Sequence, residues 1–142
     1  MTPERIAELR AIIAASPEMS ALAASGNDGA LAVALSEALP KVPKPKTFIG
    51  ERGIYDLLGV QEGETFTQTV ETLAAADTPM KSILGRVERW LKDPIGLDVG
   101  SLKTQQQLQS LVPPFSQESV DKIIEFGSQK QVISLEDVSQ LR

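Results

Sequence analysis

The sequence predicts an all-α fold of about six to eight short helices in a compact bundle, with one extended Pro/Lys-rich segment, on three observations. Apolar residues recur at intervals of three and four along most of the chain. Start signals of Ser, Thr or Asp near Pro, and stop signals of Gly or Pro, bracket those runs. Only four Phe, one Tyr and one Trp occur among 142 residues, so the core must be built from Leu, Ile, Val, Ala and Met. A β-sandwich would draw more heavily on aromatic and β-branched residues.

Thr2-Pro3 reads as an N-cap followed by Pro at the first helical position, and Ile6, Leu9, Ile12 and Ile13 then share a face as far as about Ala15. Ser16-Pro17-Glu18 repeats the start signal for a short second helix, with Met19 and Leu22 inward and Ser25-Gly26 as its stop. Asn27 or Asp28 caps a third, Ala-rich helix, which carries Leu31, Leu35 and Leu39 with Val33 beside them and ends at Pro40. Residues 40 to 46 read PKVPKPK: three prolines fix φ and remove donors, which favours an extended stretch with its lysines in solvent.

Beyond it, Thr47 is expected to cap a helix bearing Ile49, Ile54, Leu57 and Leu58, with Gly59 as C-terminal stop. Gln61 to Glu64 reads as a polar turn, and Phe66, Val70 and Leu73 as a helix to about Ala76. Asp77-Thr78-Pro79 starts a helix from Pro79 to Lys92. It sets Ile83, Leu84, Val87, Trp90 and Leu91 on one face and Lys81, Arg86, Arg89 and Lys92 mostly on the other; Asp93-Pro94 ends it. After an apolar turn, Ile95 to Gly100, Ser101 caps a Gln-rich helix with Leu108, Leu111 and Val112 inward, stopped by Pro113-Pro114. Ser116 caps Val120, Ile123 and Ile124 up to Gly127. Ser134 with Asp137 forms a capping box before Leu135, Val138 and Leu141. The division expected is a single helical domain, 1–142, with N-terminal helices in 1–39, the linker at 40–46 and a helical remainder at 47–142.

Composition narrows the function classes. The chain has no Cys and no His, which removes the commonest zinc and haem ligands and the usual base of a Ser or Cys triad. A net charge of −5 argues against a dedicated nucleic-acid binder. No apolar run approaches the roughly 20 residues of a transmembrane helix, and Met1 to Arg10 lacks a signal-peptide core. No glycine pattern of a nucleotide cradle is present, and the loop from Gly127 to Ser134 lacks the alternating carboxylates of a Ca²⁺ loop.

The chemistry-bearing groups that remain have bland readings beside functional ones. The pairs Glu62/Glu64 and Glu136/Asp137 suit acid–base work, yet stand beside turns or helix starts, where acids are expected. Tyr55 beside Asp56 offers a proton donor, but its neighbours Ile54, Leu57 and Leu58 have core spacing. Trp90 reads as a core anchor before a partner hot spot. The candidate partner-binding residues are cationic: Arg86 and Arg89, on a helix that also carries Lys81 and Lys92, and Lys41, Lys44 and Lys46 of the PKVPKPK segment. Each set has its rival reading, a solvated helix face and a stiff spacer respectively. No catalytic, cofactor or metal residue is assigned.

The segments LRAIIAASPEMSALAASGNDGALAVALSEAL (residues 9–39), RVERWLKDPIGLDVGS (residues 86–101) and SLEDV (residues 134–138) together resemble a type of small tailed-bacteriophage protein encoded among virion structural genes. The chain departs from that pattern in having no Tyr after Ser16-Pro17 and in its polar Gln105 to Gln107. The resemblance implies a non-enzymatic virion part: a head-to-tail connector or neck adaptor, or a minor capsid or tail protein. It would be present in several copies as a ring or shell, touch portal, neck, capsid or tail subunits, and assemble in the host cytoplasm without membrane, cofactor or sequence-specific nucleic acid. The rival expectation is a small acidic cytoplasmic module, an adaptor or inhibitor with a single protein partner.

Overall fold

The computed structural model describes all residues from Met1 to Arg142. In chain order the helices are α1 (Pro3–Ala15), α2 (Pro17–Ala24), α3 (Asp28–Ala38), α4 (Glu51–Leu58), α5 (Val60–Ala75), α6 (Lys81–Lys92), α7 (Leu102–Ser110), α8 (Gln117–Phe126) and α9 (Leu135–Gln140). Four two-residue strands accompany them: β1 (Val42–Pro43), β2 (Phe48–Ile49), β3 (Leu97–Asp98) and β4 (Ser128–Gln129). The protein is therefore mostly helical, with nine helices holding 65% of its residues, and the all-α expectation is corrected by two small sheets, β1 with β4 and β2 with β3. The chain divides into two units, one made of Met1–Val42 with Lys130–Arg142, the other of Pro43–Gln129.

In the first unit every helix starts on a polar side chain that satisfies an otherwise orphaned N–H. Thr2 Oγ1 accepts from Arg5 N at 3.1 Å, Ser16 Oγ from Met19 N at 3.2 Å, and Asn27 Oδ1 from Ala30 N at 3.3 Å. Leu9, Met19, Leu31, Leu35 and Leu39 form the core, closed by Ile133, Val138 and Leu141 from the far end of the chain. The expected division at the linker, with everything from 47 to 142 together, thus differs from the structure, because α9 buries its apolar stripe among α1–α3. The Ile133 N–H donates to Ser36 Oγ at 2.8 Å, and Arg10 Nε donates to the Leu141 carbonyl at 3.0 Å. Val33, read beside the apolar stripe of α3, is 59% exposed instead.

The second unit packs α4 to α8 around Ile54, Leu58, Phe66, Val70, Leu84, Leu91, Leu108 and Ile123, with Phe66 and Phe115 ring centroids 4.8 Å apart. Burying each such side chain stabilises the fold by about 1.5–3 kcal/mol relative to exposure. Helix α4 begins at Glu51 with Gly50, not Thr47, at its N-cap, because Phe48 and Ile49 pair antiparallel with Asp98 and Leu97. Gln61 to Glu64 is not a turn but the first turn of α5: Gly59, at φ +87°, makes the whole reversal alone, and Glu62 then faces the positive end of the helix dipole. Helix α6 starts two residues after Pro79 and buries Leu84, Val87 and Leu91. No helix is long and apolar enough to cross a membrane.

Candidate functional site

Three surface features carry the cationic candidates and Trp90, and all of these residues lie within the second unit apart from Lys41, which is an exposed residue of the first. The PKVPKPK segment is held by its backbone while its lysines point out. Lys44 N–H donates to the Gly127 carbonyl at 2.8 Å, and the Lys44 carbonyl accepts from Thr47 Oγ1 at 2.6 Å. Lys46, at φ +64°, donates its N–H to Asp98 Oδ2 at 3.2 Å, and Thr47 N–H donates to Asp98 Oδ1 at 3.1 Å. A Cβ on Gly100 would overlap the Lys44 carbonyl, and one on Gly127 would overlap the Val99 carbonyl. These glycines let three stretches of backbone come into contact, which fixes Lys44 and Lys46 as two exposed cations on a rigid strap.

Arg86 and Arg89 line a second feature, a groove of about 540 Å³ beside α6, together with Lys81, Thr78, Ser82 and Gly85. Lys44 and Lys46 do not reach it, so the structure separates the two cationic sets. From Gly53 to Met80 the sequence has no Lys or Arg; the next twelve residues, Lys81 to Lys92, carry four. All four are exposed, and none joins an ion pair, in contrast to Arg5 with Glu8, Lys122 with Glu62 and Glu118, and Arg142 with Asp28. Gly85 forms part of the groove wall. It costs a helix interior about 1 kcal/mol relative to Ala, and a Cβ there would meet nothing within 4 Å.

The third feature overturns the core-anchor reading of Trp90. Leu84, Val87 and Leu91 define the buried stripe of α6, and Trp90 lies about 90° round the helix from its centre. It is 45% exposed and, with Phe48 at 44%, flanks a groove of about 260 Å³ whose other walls include Leu97, Asp98, Ser101 and Thr104. Ile95 and Leu102, next in sequence to the groove residues Gly96 and Ser101, are also exposed, at 70% and 57%. Sequence reading passed over Phe48. Its signal was alternation with Ile49, which a two-residue strand turns into one side chain out and one in.

Of the candidates for acid–base work, Tyr55, Glu62, Glu64 and Asp137 make contacts within the fold. Tyr55 Oη donates to Glu64 Oε2 at 2.5 Å, joining α4 to α5, and that hydrogen bond raises the phenol above its ordinary range. Its ring lies against Gly63, where a Cβ would stand 2.8 Å from Tyr55 Cδ1. Glu62 pairs with Lys122 at 3.1 Å, and Asp137 closes the capping box with Ser134. Gln105, read as merely polar, is buried. Its Nε2 donates to the Val99 carbonyl at 2.9 Å and the Gly127 carbonyl at 3.1 Å. Its place three residues before Leu108, on the inward stripe of α7, was the available signal.

A cleft of about 310 Å³ in the first unit is lined by Ile13, Leu31, Val138 and Leu141 with Arg10 and Arg142. Both arginines already serve the fold, Arg10 on the Leu141 carbonyl and Arg142 on Asp28. Nowhere do three or more acidic side chains converge as a metal ion would require. Compared with protein-family models, curated proteins and solved structures, the chain has no significant match in any of the three.

Proposed function

We propose that this chain is a non-enzymatic structural subunit that works through protein–protein contacts, of the kind found in tailed-phage virions at the head-to-tail neck or among minor capsid and tail proteins. The observation that carries the reading is the exposed aromatic groove of the second unit. Trp and other aromatics in a pocket are the side chains that dominate contact energy when a partner excludes water from them. Phe48 and Trp90 stand 44% and 45% exposed outside the closed core of the unit, and Ile95 and Leu102, neighbours in sequence of the groove residues, are exposed with them. The backbone-anchored strap adds cationic side chains at fixed positions, which favours orientation of a neighbour over catalysis.

The test is complementation of particle assembly with a chain carrying both Phe48→Ala and Trp90→Ala. The variant is expected to fold, with a lowered melting temperature because more than half of each residue is covered by the fold, while incorporation of the folded chain into particles falls at least tenfold, about 1.4 kcal/mol of lost contact. Full incorporation of a folded variant would overturn the reading of this groove.

A further inference from the structure

We propose that the cationic groove of α6 receives the acidic stripe of α5 from a second copy of this chain, so that copies associate head to tail. The inference rests on the structural-subunit reading and names the partner of the surface that contains Arg86 and Arg89. Its first support is the segregation of charge within one unit. Helix α5 carries Glu62, Glu64 and Glu71 and no cation, whereas α6 carries four cations and one acid, Glu88. Its second is that the two sets do not satisfy each other inside one molecule. Although α5 and α6 pack side by side, no ion pair joins them.

The acidic partner is a presented surface. Glu64, Gln68 and Glu71 recur at intervals of four and three along the exposed side of α5. Glu64 is held in place by Tyr55 Oη at 2.5 Å and Gln68 Nε2 at 2.9 Å. The receiving groove presents Lys81, Arg86 and Arg89 beside the hydroxyls of Thr78 and Ser82, and Gly85 leaves room for a neighbour to approach the helix backbone. A protein of net charge −5 repels a second copy of itself far less than a duplex that carries one charge per roughly 1.7 Å of its axis, which favours a short acidic stripe over a nucleic-acid backbone as the occupant. Because the two faces are different parts of one surface, the contact is heterologous. Each added copy leaves one face of each sign free, so association continues until a ring closes or a filament grows.

Sedimentation velocity on the full chain tests this. The parent is expected to form species larger than one copy at about 0.1 M salt, and to return to monomer near 1 M, where the screening length falls from roughly 10 Å to roughly 3 Å. Arg86→Glu with Arg89→Glu removes one face; Gln68→Lys with Glu71→Lys reverses the other while leaving the Tyr55–Glu64 bond in place. Each variant alone should associate at least tenfold more weakly, and an equimolar mixture should recover association, because the mixture again pairs opposite charges. A parent that stays monomeric at low salt, variants that associate like the parent, or a mixture that fails to recover each overturns the inference. So does loss of binding to a mixed-sequence DNA duplex in the arginine variant with self-association unchanged, which assigns the groove to phosphate. A chain that is monomeric in solution yet present in particles retires this contact and leaves the structural-subunit reading standing.

Discussion

Gly100, Gly127 and Gln105 show how single residues hold the strap in place. The two glycines admit carbonyls where a Cβ would sit, and Gln105 satisfies two of the buried carbonyls at the crossing. Gly100→Ala is therefore expected to destabilise the second unit by roughly 3 kcal/mol or more, because the overlapping group is backbone and has nowhere to relax. Gln105→Leu keeps the volume but strands the Val99 carbonyl and leaves the Gly127 carbonyl with Lys44 N–H alone, and should lower stability by about 1–3 kcal/mol. Both read out in the midpoint of urea unfolding. This level was the least legible in the sequence. Gly100 reads as part of an apolar turn and Gln105 as one of three polar residues in a Gln-rich helix, since spacing shows which way a side chain points but not which distant backbone meets it. Trp90 failed for a geometric reason: three- and four-residue spacing admits a wide arc of the helix, and Trp90 falls on its edge.

At the scale of the element, caps and breakers carried the most information. Thr2, Ser16, Asn27, Ser116 and Ser134 all accept the N–H bonds their positions predicted. The misses came where glycine or a strand replaced a cap, at Gly59 and at Phe48–Ile49; at the start of α6, where Met80 holds the cap position in place of Asp77 or Thr78; and at Ser101, whose side chain makes no capping bond. Ser134→Ala should destabilise the first unit by about 1 kcal/mol, as loss of a capping hydroxyl does. Asp137, in the same box, accepts from the Ser134 N–H at 3.0 Å, and that bond holds its carboxyl below the ordinary value of 3.8. A lowered folded-state value means that its contribution is present above pH 3.8 and is lost as pH falls through the depressed value. Stability of the parent should fall more steeply on acidification through that window than stability of Asp137→Ala, measured as unfolding midpoint against pH. In α6, Gly85→Ala is expected to raise stability by about 0.5–1 kcal/mol, because the new methyl enters open space in a helix interior. The same methyl projects into the groove where a neighbour would approach the helix backbone, so assembly should weaken while melting temperature rises.

For the molecule as a whole, helical class was legible because periodicity, start signals and a core poor in aromatics agreed. The membership of the two units was not. The apolar stripe of Leu135 to Leu141 announces a buried face, yet nothing in its spacing says that Leu9, Leu31 and Leu35 lie across from it rather than a neighbour in sequence. Of the candidate site, the charge pattern placed Arg86 and Arg89 on the exposed side of α6 and the sequence offered Trp90 as a hot spot second to a core anchor, while Phe48 emerges only once β2 is in place. The central claim, that the chain is built to contact other subunits, meets its most direct test in quantitative peptide mass spectrometry of purified particles from the source. The chain is expected at a fixed ratio to the major shell protein, low for a neck or tail position; its absence from particles that are otherwise complete would contradict the claim.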